Sequence, residues 1–548
     1  MRLPEIPYAD GIGKRGQIQF YGLDHNLGAG DGGLWDMANL TSDYYPLLST
    51  RAKRRACRKL SKPGGLFAWD ALAWVDGTDF YYGGEKKGTV TAGEKQFAAI
   101  GVYLIILPDK KFYNTVSGEF GSLESAWSGA SLTFTNGKLY EEDAEANTIQ
   151  ASGVDWGSYF KAGDAVTIEG CTKHAENNKT PVIREIDGDK LYFYENVFKL
   201  DGTDGTTAYT ESGNLTVRRT MPALQYVCEN ENRLWGCDGR TIYASKLGDP
   251  FNWNVFEGLE TDSYAVDTGS AGDFTGCVSF LGYPIFFKED HIYKVYGSIP
   301  SNFEVMGSAT LGVAKGCGGS LAIAGERLLY LSNSGVMIYS GGIPQSLHDA
   351  FGMTRLRNGR AGSDGLKYYL SAQDENGAWK LYVYDTRRGL WHIEDATHAT
   401  HFCRYEGNTY FLTDGGEITM TGNILDAPEG SEGEADFTWF AETGDFVEHT
   451  STSGESAVKK GIAKLLLRIE VGKGAEARIL MQFDSDGKWV QAGQTLHAEK
   501  KRSYFLPIVP RRADHYRIRI EGRGECRVYS LTREYYSGSE YKSTQGRQ

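Results

Sequence analysis

No run of 18 apolar residues occurs anywhere in this 548-residue chain. The densest stretch, Val102 to Leu107, has the length of a β-strand, so no membrane-spanning helix is expected. The opening MRLPEIPYADGIG has no apolar core and gives no sign of a secretory leader. Paired cysteine motifs are also missing. The eight cysteines, at 57, 171, 228, 237, 277, 317, 403 and 526, stand singly. That argues against a disulfide framework and for buried thiols in a protein assembled in a reducing cytosol. Cys228 and Cys237 could face each other across a hairpin, but they read better as small core residues. Proline is scarce, with 14 residues against 69 glycines.

What fills the space is glycine placed around tyrosine, phenylalanine and tryptophan, which together make 13 % of the chain. Gly-rich turns between aromatic, β-prone runs point to an all-β protein. The pattern is clearest from Ala223 to Trp253. Tyr226 and Cys228 alternate with polar neighbours, Glu229 to Asn232 makes a turn, and Leu234 to Cys237 is a second apolar run. Asp238-Gly239 is a strong hairpin signal, Ile242 to Ala244 a third strand, and Gly248-Asp249-Pro250 a stop. A meander of this size cannot bury its own faces and needs neighbours of its kind.

The sequence supplies them. A hairpin is expected at Leu66 to Val75 and Phe80 to Tyr82, with further strands at 97–100, 102–107 and 111–115. After Thr220 the pattern returns at about 40 to 45 residues per unit. Strands are expected at 277–281, 284–288 and 291–296; at 319–324, 327–331 and 335–339; and within 366–392 and 401–420. Four-stranded units at this period spell a β-propeller, of six or seven blades, over 64–127 and 221–425. Residues 128–220 have a different texture and read as a small barrel-like β domain inserted in a loop. Residues 426–460 form an acidic linker with one possible closing strand at Phe437 to Phe440. Alternation at Leu465, Leu467, Ile469 and Val471, and at Tyr516, Ile518 and Ile520, makes 461–537 a C-terminal β-sandwich with one wet, basic face. Residues 538–548 read as a flexible tail.

Residues 1–63 look like an arm. They carry a balance of +4, and residues 500–548 one of +7, which leaves −24 for the remainder of a chain whose net charge is −13. A basic head and tail flank an acidic middle, which speaks about partners rather than fold. Arg51, Lys53, Arg54, Arg55, Arg511, Arg512, Arg517 and Arg519 are the candidate contacts to partner chains or DNA.

No stretch of the sequence rises to a catalytic constellation. Asp484 to Trp489 and Asp374 to Trp379 resemble sialidase Asp boxes only in composition; their spacing is that of ordinary hairpins. Of His398, His401 and Cys403, only the last two share a strand face, and no second ligand pair lies nearby, so no metal is expected. Gly11-Ile12-Gly13-Lys14 lacks the flanking residues of a phosphate loop. Acidic pairs such as Glu141-Glu142 and Glu289-Asp290 are plentiful, but nothing places two of them in one pocket. The chain reads as a non-enzyme without cofactor.

Three stretches together resemble a known family. Leu34-Trp35-Asp36-Met37-Ala38-Asn39-Leu40-Thr41-Ser42-Asp43-Tyr44-Tyr45-Pro46, leading into Arg51 to Arg55, is similar to the start of bacteriophage tail proteins of the packaged-DNA stabilisation, or tail-nozzle, type. Asn232 to Cys237 with Tyr243 to Pro250 resembles their propeller, and Tyr516 to Gly522 their C-terminal domain. The likeness covers most of the chain except 128–220. It implies a virion protein, made and assembled in the host cytoplasm, that forms a ring of six copies below the portal and adaptor. Its partners would be those proteins, a tail fibre or needle, other copies of itself, and double-stranded DNA passing through the lumen. An acidic lumen would let DNA slide, because few phosphates would find cations to hold them. The rival reading is a receptor-binding or glycan-binding propeller, with surface Tyr and Trp stacking on sugar rings.

Overall fold

The computed structural model describes residues 13–26, 31–137, 146–194, 196–447, 460–497, 499–508 and 511–537. Gly11 and Ile12, the Glu141-Glu142 pair and the tail from 538 lie outside them. The described residues are strands joined by turns and a few short 3-10 segments. The chain divides into two compact units, Ser61–Gly318 and Met1–Leu60 with Gly319–Gln548.

The first unit holds four antiparallel four-stranded meanders and one larger sheet. The meanders run Pro63–Ala68 to Glu85–Thr89, Gln96–Ile100 to Phe120–Ser122, Tyr226–Asn230 to Tyr264–Asp267, and Gly276–Phe280 to Glu304–Ala309. The second unit holds three more. Two are Ala322–Ala324 to Gln345–Ser346 and Arg357–Ser363 to Leu390–Ile393. In the last, Ala399–Tyr405, Asn408–Thr413 and Glu417–Thr421 gain a fourth strand from the start of the chain, Arg55–Lys59.

Local chemistry explains the repetition. In four meanders the first and second strands are joined by two residues that both have positive φ: Glu231-Asn232, Leu281-Gly282, Gly325-Glu326 and Glu406-Gly407. This is the turn whose twist matches that of the flanking strands. Each second strand is apolar on both faces, as in Arg233–Asp238 and Arg327–Ser332. It lies mid-sheet with neighbouring sheets on either side. First strands lie side by side within each unit: Gln96–Ile100, Tyr226–Asn230 and Gly276–Phe280 in one, Ala322–Ala324, Arg357–Ser363 and Ala399–Tyr405 in the other. Apolar side chains fill the gaps between successive sheets. One such cluster joins Trp235, Cys237 and Ile242 to Phe286, Tyr293 and Val295. Each fully buried side chain of this size contributes about 1.5–3 kcal/mol.

The insertion leaves the second meander and forms one six-stranded sheet. Its first and last strands in the chain, Ser125–Gly137 and Tyr209–Arg219, form a long pair inside the sheet that begins and ends at the Ser125–Arg219 partnership. Its own core contains Trp156, Phe134, Phe160 and Phe193. It is fastened to the third meander by a buried polar knot. Arg219 pairs with Asp164, and Asn252 donates to Asp164 at 2.9 Å and accepts from the Ala165 amide at 3.0 Å.

The remaining strands build two sheets in the second unit. One runs Gly22–Leu23, Gly33–Ala38, Thr438–Thr443, Tyr516–Arg523, Glu476–Phe483, Val490–Leu496. The other runs Leu40–Thr41, Leu48–Thr50, Cys526–Ser537, Lys460–Val471, Arg502–Leu506, with Gly13–Gln17 also on Cys526–Ser537. Leu465, Leu467, Ile469 and Val471 are buried while Lys464 and Arg468 are exposed, so the expected wet basic face is present on Lys460–Val471.

Two expectations are corrected. Residues 13–60 are not a detached arm, because six of their strands are hydrogen-bonded into three sheets of the second unit. Nor does the stretch at Phe437 to Phe440 close the repeat. Thr438–Thr443 pairs with Gly33–Ala38 and Tyr516–Arg523, and the fourth strand of the last meander is Arg55–Lys59. A strand such as RACRK, whose only apolar residues are the adjacent Ala56 and Cys57, gives no apolar alternation to read.

Removing residues 1–60 therefore exposes the edge of the last meander and strips strands from both C-terminal sheets. The truncated chain is expected to lose cooperative unfolding of the second unit and to aggregate. Differential scanning calorimetry of the two chains checks this; an unchanged thermogram would restore the arm.

Candidate functional site

The eight candidate cations fall into three settings. Arg51 and Arg54 are buried. They sit on the segment that leads into Arg55–Lys59, and they face carboxylates from two distant parts of the chain. Arg51 donates through both terminal nitrogens to Glu434, at 2.7 and 2.6 Å, and through Nε to Asn39 Oδ1 at 2.7 Å. Arg54 donates to Glu394 at 2.5 Å, to Asp395 at 2.7 Å and to Thr397 Oγ1 at 3.2 Å. The Arg54 amide donates to Glu434 at 2.9 Å, and the Arg51 guanidinium lies 4.3 Å from the Phe437 ring centre. Arg51 and the Arg54 amide therefore hold Glu434, and the stretch that leads to Thr438–Thr443, against the last meander, and neither guanidinium is available to DNA or a partner chain.

Burial opposes the charge on Arg54, but Glu394 and Asp395 outweigh it and lift the guanidinium pKa above its ordinary value. Burial likewise pushes Asp395 up, and Arg54, Thr397 and Arg51 more than reverse it, so its carboxyl stays below the usual range. Glu434 is lowered in the same way, mainly by Arg51.

Four of the other cations are paired nearer the surface. Lys53 meets Asp436 at 2.6 Å, Arg511 meets Asp486 at 3.2 Å, and Arg517 meets Asp445 at 2.5 Å. Arg519 donates to Glu521 at 2.8 Å and lies over the Phe440 ring. Arg55 is half-buried beside Gly433, and Arg512 is exposed. The structure does not bring the eight together into one basic surface. Alternate cations of 517–519 lie on a sheet whose acids, Glu442 and Glu521, take most of their charge.

A second buried network holds the same N-terminal segment to the neighbouring meander. Lys367 donates to Asp43 at 2.5 Å and to Thr41 at 3.1 Å, and Ser42 donates to Asp385 at 2.7 Å. His392 lies beside it. Burial and the Lys367 ammonium lower its pKa to about 4, against the weaker pull of Asp385 and Asp43. Nothing in the sequence marks these residues, because each stands alone and its partner is more than 300 residues away.

Other groups considered from sequence have local roles. His398 stacks on Trp379, ring centres 3.5 Å apart, and reaches Asp414 at 3.1 Å, while His401 contacts Thr400. Asp374 Oδ1 accepts from the Asn376 and Ala378 amides, and Asp486 Oδ1 from the Lys488 amide, so both Asp-box look-alikes are plain turns. A cavity of ≈ 90 Å³ in the second unit is lined by Leu23, His25, Phe351, Lys380 and Tyr382. His25 bridges two main-chain carbonyls there, Trp35 O at 2.7 Å and Phe351 O at 3.2 Å. Its ring therefore serves to position the N-terminal segment.

No family model and no curated protein matches the chain. Among solved structures it is similar to BamB from Moraxella catarrhalis, at 12 % identity and TM-score 0.32, over 68 % of this chain and 99 % of that one. The computationally designed Ika8 protein matches at 10 % identity and TM-score 0.31, over 67 % and 99 %. PorZ, a surface component of the type-IX secretion system of Porphyromonas gingivalis, matches at 10 % and 0.26, over 88 % and 77 %. Likenesses this loose carry no argument about the function of this chain.

The two networks each make a prediction. Arg54→Met leaves Glu394 and Asp395 with only the more distant Arg51, at 4.0 and 3.5 Å, and should cost about 3–5 kcal/mol, whereas Lys53→Ala, at an exposed pair, should change stability little. Urea titration of the second unit's unfolding separates them; equal effects would deny the cluster its role. The His392 pKa lies below its unfolded value, so the unfolded chain binds more protons between pH 6.5 and 4. Stability should therefore be complete above pH 6.5 and fall by about 3 kcal/mol as pH drops through that window. His392→Gln should remove that part of the slope.

Proposed function

We propose that the seven meanders are the blades of one β-propeller, and that the protein is a structural subunit of a bacteriophage tail of the tail-nozzle type. In this reading copies assemble into a ring that retains the genome and then conducts it. One observation carries the proposal. Leu34 to Ala38 of the N-terminal run and the Tyr516 to Gly522 stretch, at opposite ends of the chain, share one sheet, Gly33–Ala38 pairing with Thr438–Thr443 and that strand with Tyr516–Arg523, while Leu40–Thr41 of the same run joins the other sheet. Two of the three stretches that resemble the family are thus one module, which supports reading them together. The third, Asn232 to Cys237, is the centre of a meander.

The propeller itself is supported by the side-by-side first strands within each unit and by the last meander's strand from the chain start. Sharing one sheet between an early and a late segment removes free edges, as a closed array of sheets requires. The acidic middle suits a passage for DNA, because a surface poor in unpaired cations retains few phosphates. With Arg51 and Arg54 committed inside the subunit, contacts to neighbours fall to surface groups such as Lys53, Arg55, Arg511 and Arg512.

Electron microscopy of the purified protein, or of the particle it comes from, tests this. Rings of about six copies are expected, with weak binding to duplex DNA at physiological salt. Monomers that score on a glycan array would favour the receptor-binding alternative. Tight duplex binding by an intact ring would sink the sliding passage while leaving the ring itself standing.

A further inference from the structure

Three free thiols meet where the third and fourth meanders pack together. On the Tyr226–Asn230 and Arg233–Asp238 pair, Cys228 faces Trp235 and Cys237 faces Tyr226. Residues two apart share a sheet face, so both thiols point the same way. That face packs on the fourth meander, whose first strand, Gly276–Phe280, carries Cys277. A hydrogen bond fixes how the two first strands lie: Ser279 donates to Asn230 Oδ1 at 2.7 Å. One step of the pleat back along each strand brings Cys277 beside Cys228. Cys237 is fully buried, whereas Cys228 and Cys277 keep part of their surface exposed, so these two are the more accessible of the three.

We propose that Cys228 and Cys277 are a latent disulfide site, joined covalently when the protein meets a small organic disulfide such as oxidised glutathione. One protein thiolate attacks the glutathione disulfide and expels a glutathione thiolate. The second attacks the resulting mixed disulfide and expels the other glutathione. Two protein thiols are oxidised, one glutathione disulfide is reduced to two thiols, and the two protein protons pass to those products. The bond would tie two successive meanders at their first strands and close a loop through the third meander. The Cys277 thiol raises the pKa of Cys228 well above its ordinary value, with burial adding to it, and burial does the same to Cys277. Reaction at neutral pH is therefore slow and speeds up as pH rises. This pairing does not depend on the proposed role in a tail.

Trypsin separates the three thiols. Cys228 falls in the fragment 220–233, Cys237 in 234–240 and Cys277 in 247–288. After treatment of the full chain with oxidised glutathione at about pH 8.5, near the ordinary thiol pKa, the thiols counted in denaturant should fall from eight to six. The unreduced digest should contain 220–233 linked to 247–288. The unfolding midpoint should rise by roughly 5–10 °C and return on reduction. Cys277→Ser should abolish the link and the rise, while reduced variant and reduced parent unfold alike. A link through 234–240, an unresolved glutathione adduct, or eight surviving thiols would overturn the proposal. Because the parent's peptide map decides the pairing alone, a variant that fails to fold does not rescue it.

Discussion

Burying two guanidinium groups is costly unless each is matched by carboxylates at hydrogen-bond distance, and the rest of the second unit is arranged so that Arg51 and Arg54 are matched. Glu434 takes Arg51 end-on, and Glu394 and Asp395 take Arg54. The partners come from segments more than 300 residues away along the chain. Removing any one member strands the others in a low-dielectric setting, so the cluster acts as a single unit. It fixes where the strand Arg55–Lys59 enters the last meander, and where the acidic stretch before Thr438–Thr443 leaves it.

The same logic runs through the rest of the N-terminal segment. Thr41, Ser42 and Asp43 are bound by Lys367 and Asp385, His25 by two carbonyls, and Asn39 by Arg51 and the Thr438 carbonyl. The segment's scattered apolar side chains, Phe20, Leu34, Met37, Leu40 and Leu48 among them, are buried, and the polar pairs add to that hold. Such contacts must wait until the late parts of the chain exist and have folded. That places assembly of the second unit after synthesis of the whole chain, at the slow, high-contact-order end of folding.

The legible part of the sequence was the part with periodic burial. Strands at 276–280, 283–287 and 291–296 lie within one residue of where alternation and turns placed them. The insertion's edges, Ser125 and Arg219, lie within three residues of the change in texture. Two fourth strands were invisible because they are exposed: Glu304–Ala309 and Gln345–Ser346 bury almost nothing and carry no apolar pattern, whereas the buried Leu390–Ile393 was legible. The basic cluster was visible as charge but not as structure. Arg51 and Lys53 look alike in sequence, yet one is buried and the other solvated, and only the distant Glu434 and Asp436 decide which. The Cys228–Cys277 neighbourhood escaped for the same reason, since it depends on how two successive sheets stack.

The root of the insertion has a practical side. Its first and last strands end as direct partners, Ser125 opposite Arg219, so entry and exit stand one strand spacing apart. The domain is thus a cassette: the host fold needs from it only two chain ends about 5 Å apart and the Asp164–Arg219–Asn252 fastening. A designed hairpin, a reporter or an affinity handle whose own termini sit side by side could take its place, provided Asn252 and Val255, now covered by Asp164, Ala165 and Val182, are given new partners.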